Sequence, residues 1–224
     1  MYLSRLILNP RSRRVQREVA QPYEMHRSLM RAFPVQLERE AERVLFRLDA
    51  QPRTGVLTLL VQSSDMPDWS WLAEPGASGY LLPLSEPNPA VKPFNPTFSP
   101  NQLLAFRLRA NPTVKDYRDD QQHPGKEVHR RFGLYKEEEQ VEWLKRKSVA
   151  GGFEILRLQA RQEGLVKGTI HRRGEESHAL NLLAVTFDGL LRITDVPRFT
   201  ETLHAGVGSG KGLGFGLLSL ARPA

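Results

Sequence analysis

Cysteine is absent from the 224 residues. That excludes disulfides, thiolate zinc sites, cysteine-ligated iron–sulfur clusters and a cysteine nucleophile. No apolar run approaches the roughly 18–20 residues of a membrane-spanning helix. The opening stretch MYLSRLILNP is only briefly apolar, is broken by Arg5 and lacks a small-residue cleavage site, so it does not read as a signal peptide. His123, His129, His178 and His204 show no metal-ligand spacing, and the acidic residues form no paired site, so neither a metal centre nor a cofactor is expected. A soluble cytoplasmic protein without membrane association is the expectation.

What is present is a globular balance with a basic excess. Hydrophobic residues make up 40% and charged residues 25%, and 32 Lys+Arg against 25 Asp+Glu give a net charge of +7. A polyanion is therefore the first partner to consider. The length suits one large domain or two small ones. Six of the 16 prolines (Pro83, Pro87, Pro89, Pro93, Pro96 and Pro100) crowd one segment. Proline fixes φ and lacks an amide donor, so this segment is neither a central strand nor a helix interior. It reads as a stiff linker over residues 85–100, between domains 1–84 and 101–224.

In the first domain Tyr2–Leu8 reads as a strand. Residues 21–33 read as a helix, with Pro22 in its first turn, Met25, Leu29 and Phe33 at i, i+4 and i+8, and Pro34 as its stop. Strands follow at Val44–Leu48 and Gly55–Val61, a short helix at Asp65–Leu72 and a closing strand at Tyr80–Leu84. The second domain repeats the order. Leu103–Leu108 is a strand, Lys136–Lys147 a helix closed by Gly151–Gly152, and Phe153–Leu158 a strand. Val166–Ile170 and Ala179–Phe187 form a hairpin, Val196–Leu203 a helix and Leu213–Leu220 a last strand. The fold class is α+β, two tandem ferredoxin-like β-α-β-β-α-β units of the kind RRM domains use. Such sheets often serve as RNA platforms, although fold alone assigns no function.

Charge concentrates at the N-terminus. Arg5, Arg11, Arg13, Arg14, Arg17, Arg27 and Arg31 face only Glu18 and Glu24 within residues 1–31. Guanidinium groups bond phosphate bidentately and release counterions; the alternative is a solvated basic face. Inside the run, Tyr23, His26 and Arg27 stand at i, i+3 and i+4, on one side of a helix. A phenol and an imidazole can relay a proton to or from a ribose hydroxyl beside a guanidinium that holds phosphate. From the spacing alone, a surface histidine and a half-buried tyrosine on a basic helix is the simpler reading.

Glycine occupies every second position from Gly206 to Gly216, around Lys211. The spacing fits neither a P-loop nor a dinucleotide-binding fingerprint, and Leu213 and Leu218 stand where an RNA-recognition motif needs aromatics. Either the backbone and Lys211 approach a phosphate chain, or the run is a turn packed against a neighbour. Two further clusters are basic: His171-Arg172-Arg173 at the hairpin tip, which suits a nucleic-acid groove or, with Glu175 and Glu176 next in sequence, a plain solvated turn, and Lys126–Arg131 in a long polar loop, which adds Arg131 to the candidate RNA contacts.

Taken in order, AQPYEMHRSL (20–29), LLVQSSDMPDWSWL (59–72), KPFNPTFSPNQLLAFRLRANPT (92–113), EEQVEWLKRK…GGFEI (138–155) and HAGVGSGKGLGFGLLSLA (204–221) resemble the CasE family. These are the repeat-cleaving CRISPR-associated endoribonucleases of the Cascade complex, and the likeness covers most of the chain. It implies two ferredoxin-like domains and metal-independent cleavage of the CRISPR repeat hairpin by 2′-hydroxyl attack, leaving a 2′,3′-cyclic phosphate. It also implies retention of the mature guide RNA beside other Cascade subunits. By the same resemblance His26 and Tyr23 are catalytic, with acid and base roles open between them. Arg27 lies beside the phosphate, Lys211 lies in a loop along the RNA, and Arg172–Arg173 occupy the position of a groove-docking hairpin. Two other readings remain: a non-catalytic RNA-binding subunit on this fold, and a small-molecule phosphate enzyme built on the glycine run, which the failed motif spacing disfavours.

Overall fold

A computed structural model describes residues 1–33, 44–115, 131–170 and 178–223. Its two four-stranded antiparallel sheets share one topology, and the fold is α+β with two tandem ferredoxin-like units.

The first unit contains β1 (Tyr2–Leu8), α1 (Arg13–Ala20), α2 (Pro22–Met30), β2 (Leu45–Ala50), β3 (Leu57–Ser63) and β4 (Ala90–Pro93), in sheet order β2-β3-β1-β4. The expected helix at 65–72 shrinks to 3₁₀ turns at Ser70–Ala73 and Pro75–Ala77. Pro67 and Pro75 leave too little uninterrupted chain there for an α-helix. The expected closing strand at 80–84 is reduced to one bridge, Leu81 to Leu8, and Ala90–Pro93 takes its place beside β1. Proline is tolerated because β4 is an edge strand. Asn88 pins this proline-rich chain to the sheet: its Oδ1 accepts from Ile7 N (2.9 Å), and its Nδ2 donates to Ile7 O and Leu82 O (both 2.9 Å).

Helix α1 was not expected from the sequence. Its inward face is Val15 and a carboxylate, Glu18, only 2% exposed. Glu18 accepts from Arg14 Nε (2.9 Å), Ser28 Oγ (2.6 Å) and Tyr80 OH (2.6 Å), and Arg14 Nη2 donates to Ser28 Oγ (2.9 Å). Burial, with Glu18 adjacent, drives the Tyr80 phenol well above the ordinary range, so it stays a donor. The network ties α1 to α2 through Ser28 and both helices to the chain at Tyr80. Around it lie Leu6, Leu8, Met25, Leu29, Phe46, Leu59, Val61 and Trp71.

The second unit contains β5 (Leu103–Ala110), the ribbon β6 (Thr113–Lys115) and β7 (Arg131–Gly133), α3 (Glu137–Ala150), β8 (Phe153–Ile170), β9 (His178–Ile193), α4 (Val196–Ala205) and β10 (Leu218–Ala221). Its main sheet runs β10-β5-β9-β8. Alternation along β5 buries Leu104, Phe106, Leu108 and Ala110. The two strands expected at 153–158 and 166–170 are one long strand, bent by irregularities at Ile155/Arg157 and Gln162/Gly164. Asp195 caps α4 by accepting from Arg198 N (3.0 Å). Trp143, Leu144, Phe153, Phe187, Phe199 and Leu203 fill this second core.

Hydrogen bonds close the seam between the units. Arg47, 5% exposed, pairs with Asp49 (2.9 Å) and donates to Ser219 Oγ (2.6 Å) and Arg107 O (3.4 Å). Gln62 Nε2 donates to Leu203 O (2.8 Å). The seam therefore brings β2 and β3 of the first sheet against β10, β5 and the end of α4.

Candidate active site

The glycine-rich run determines what faces α2. Gly210 (φ 76°) and Gly214 (φ 83°) are left-handed, a conformation that penalises any Cβ. Between them Lys211–Leu213 makes one 3₁₀ turn, so the strand expected from Leu213 begins only at Leu218. Arg109 holds the turn from below. Its Nη1 donates to Gly214 O (3.4 Å), its carbonyl accepts from Gly216 N (2.8 Å), and its guanidinium lies 4.6 Å from the centre of the Phe215 ring. Glu163 fixes Arg109 at 2.7 Å and accepts from Thr186 Oγ1 (2.6 Å). Burial opposes ionisation of Glu163, but these two partners together with the nearby Arg161 outweigh it and hold the carboxyl below the usual range.

His26 projects from α2 onto this turn. A Cβ placed on Gly212 would stand 3.5 Å from His26 Cε1 and 3.7 Å from each ring nitrogen, so the imidazole lies against bare backbone. Phe46 of β2 backs it, near parallel, with centroids 6.5 Å apart. Nδ1 is buried without a hydrogen-bond partner, and burial lowers the pKa from the ordinary histidine value of 6.5. Desolvation penalises the cation, so the imidazole without substrate favours its neutral form at neutral pH. An unpaired ring nitrogen and a naked peptide turn side by side are suited to a phosphate: the turn can present amide donors and the imidazole can exchange a proton.

Tyr23 lies half-buried in a small crevice beside Lys167, Gly168, Leu182 and Leu213. It thus meets the same turn as His26. Lys167 was not singled out from the sequence; the packing of α2 against β8 brings this cation beside Tyr23. Arg27 is 64% exposed and pairs with Glu24 (3.1 Å), next to the site on the solvent side of α2. Lys211 and Arg131 share a different cavity. Arg172 and Arg173 lie outside the described residues, as does most of the basic segment before Arg131.

The N-terminal arginines divide. Arg14 belongs to the Glu18 network and lies 4.9 Å from the centre of the Trp71 ring; Arg31 lies 4.7 Å from the same ring and pairs with Glu74 (2.6 Å). Arg5 pairs with Glu86 (3.2 Å). Arg11, Arg13 and Arg17 are exposed. Much of the charge run that suggested polyanion binding is consumed by the fold. Among the described residues no group of three His, Asp or Glu side chains is arranged to hold a metal ion, and no helix is long and apolar enough to cross a membrane.

A sequence profile described as "CRISPR associated protein" matches residues 1–222. The chain is 40% identical to the CRISPR-associated endoribonuclease Cse3 of Thermus thermophilus, over 99% of this chain and 100% of that protein. It is 28% identical to the CRISPR system Cascade subunit CasE of Escherichia coli, over 99% of each. Among solved structures, Cse3 bound to a 19-nucleotide RNA superposes with a TM-score of 0.82 at 38% identity, covering 99% of this chain and 100% of that one. Cas6e of E. coli superposes at 0.64 and 25% identity, covering all of both chains.

Proposed function

Because the chain belongs to the family of CRISPR-associated proteins, we propose that it is a metal-independent endoribonuclease that cuts precursor CRISPR RNA at the repeat hairpin. It then retains the guide RNA as a subunit of the cytoplasmic Cascade complex. The observation that carries this reading is the contact of the His26 imidazole with the bare backbone of Gly212, in a chain 40% identical along its length to an endoribonuclease.

The reaction is a transesterification. The 2′-oxygen attacks the adjacent phosphorus, the bond to the 5′-oxygen breaks, and a 2′,3′-cyclic phosphate and a 5′-hydroxyl result. Tyr23 orients the 2′-hydroxyl and takes its proton while passing its own phenolic proton to a phosphoryl oxygen, so the phenol is left unchanged; the imidazolium of His26 gives a proton to the departing 5′-oxygen and is left neutral. Arg27 and the turn at Lys211 stabilise the charge that builds on the phosphoryl oxygens. Arg131, Arg172 and Arg173 bind RNA away from the cut.

Excess EDTA should leave cleavage of a labelled repeat hairpin unchanged, and a single 2′-deoxy nucleotide at the cut site should abolish it. Loss of cutting in EDTA would overturn metal independence. Tight binding with no cutting of either hairpin would make the chain a non-catalytic RNA-binding subunit.

The same roles fix a pH dependence. Burial alone keeps the His26 proton off, whereas a bound phosphate, as an adjacent anion, favours the imidazolium and raises the pKa. The His26 titration midpoint, read by NMR, should therefore lie below 6.5 in the RNA-free protein and move up on binding 2′-deoxy hairpin. Single-turnover cleavage should fall as pH rises through the RNA-bound value, because the acid is then lost. A rate that rises through that midpoint would exchange the roles of His26 and Tyr23.

A further inference from the structure

The loop that lays Gly212 against His26 carries Lys211, one residue earlier, into a separate cavity of about 340 Å³. Arg131 of the β6–β7 ribbon, Lys147 of the last turn of α3, Thr202 and Ser209 also line it. Trp143 closes it from the core side: a Cβ on Gly208 would stand 3.0 Å from the indole ring. Three cations from three different elements thus share one cavity, and no carboxylate is among the described residues that line it.

A structural account covers only part of this arrangement. Lys147 in the last turn of α3 offsets the negative end of the helix dipole. That does not explain why the ribbon brings Arg131 to the same place, where like charges repel. Nor does it explain Ser209, whose Oγ is buried with no hydrogen-bond partner. A buried hydroxyl in that state costs about 1–3 kcal/mol. An anion rich in acceptor oxygens answers both features, since it attracts the cations that line the cavity and accepts from the serine.

We propose that this cavity binds a second phosphodiester of the substrate strand, within a few nucleotides of the scissile one. This rests on the endoribonuclease reading, and continuity of the loop supports it, because adjacent residues face His26 and the cavity. A strand threaded past His26 is gripped again by Lys211, Lys147 and Arg131. The site fixes which linkage stands at the imidazole, so it sets register as well as affinity.

The test is binding of repeat hairpins that carry a 2′-deoxy sugar at the cut site, which prevents cleavage. Each linkage flanking the scissile one is replaced in turn by a neutral methylphosphonate on a 2′-deoxy sugar, with 2′-deoxy phosphodiester controls. One such replacement should weaken wild-type binding about tenfold, the loss of one charge-assisted hydrogen bond. Lys147→Gln should bind the all-phosphate hairpin weaker by a similar factor and lose clearly less than the wild type to that same replacement. Lys147→Arg should restore the wild-type pattern. Ser209→Ala should weaken RNA binding without lowering the melting temperature. Unchanged affinity in Lys147→Gln, or losses that simply add at every linkage, would overturn the proposal. Cleavage of the unmodified hairpin by the wild-type protein is scored in parallel, so failure of the endoribonuclease reading is seen separately.

Discussion

Replacing His26 by alanine should slow single-turnover cleavage of a repeat hairpin by about 10²–10⁴-fold, the range expected for loss of a positioned general acid, while RNA affinity stays close to that of the wild type. The separation follows from where the imidazole sits. It lies against the Gly212 backbone and the Phe46 ring rather than within the basic cavity, so its removal takes away a proton carrier and leaves the RNA-binding cations in place. Folding should tolerate the change. The lost packing on Phe46 is offset because Nδ1 is already buried without a partner, and a buried unpaired polar atom is itself destabilising. The measurement is a quench time course with enzyme in excess, beside a binding isotherm on 2′-deoxy hairpin. A wild-type rate would remove His26 from the mechanism.

Glu18→Ala should destabilise the protein by about 3–5 kcal/mol, the loss typical when one member of a buried ion pair is deleted. In a chain of this size that lowers the melting temperature by on the order of 10 °C. The carboxylate is buried among three donors, so alanine leaves Arg14, Ser28 and the Tyr80 phenol facing a void together. Tyr80→Phe removes only one of these bonds, and its loss should be clearly smaller. Since Ser28 lies on the helix that carries His26, Glu18→Ala should also lower cleavage at temperatures where it is still folded. Equal melting of Glu18→Ala and wild type would mean that the network is decorative.

The same carboxylate shows why part of the fold was hidden in the sequence. Helix α2 was legible because Pro22 and the repeat of Met25, Leu29 and Phe33 speak the ordinary language of an amphipathic helix. Helix α1 was not: it turns a charge inward, where periodicity expects an apolar residue, and the three partners of Glu18 are scattered from Arg14 to Tyr80. The proline-rich segment was read as a stiff linker, whereas Ala90–Pro93 within it pairs with β1; an edge strand needs no alternating pattern, so that pairing had no signal. In the site, Tyr23 and His26 were legible as a helical pair and Lys211 as the centre of a glycine run. That the two meet, and that Phe46 and Lys167 join them, depends on contacts between distant parts of the chain. The N-terminal arginines misled in the opposite sense: Arg14 and Arg31 sit against Trp71 and their carboxylates, so a run that looked like a docking face is partly scaffolding.

The seam between the two sheets has a consequence for biosynthesis. His26 is translated before the turn that faces it, and β10, which follows that turn, pairs with β5. A nascent chain therefore carries its imidazole with no turn opposite it until the glycine run has been made. Completion of the site therefore waits on the second sheet, however early the first has folded.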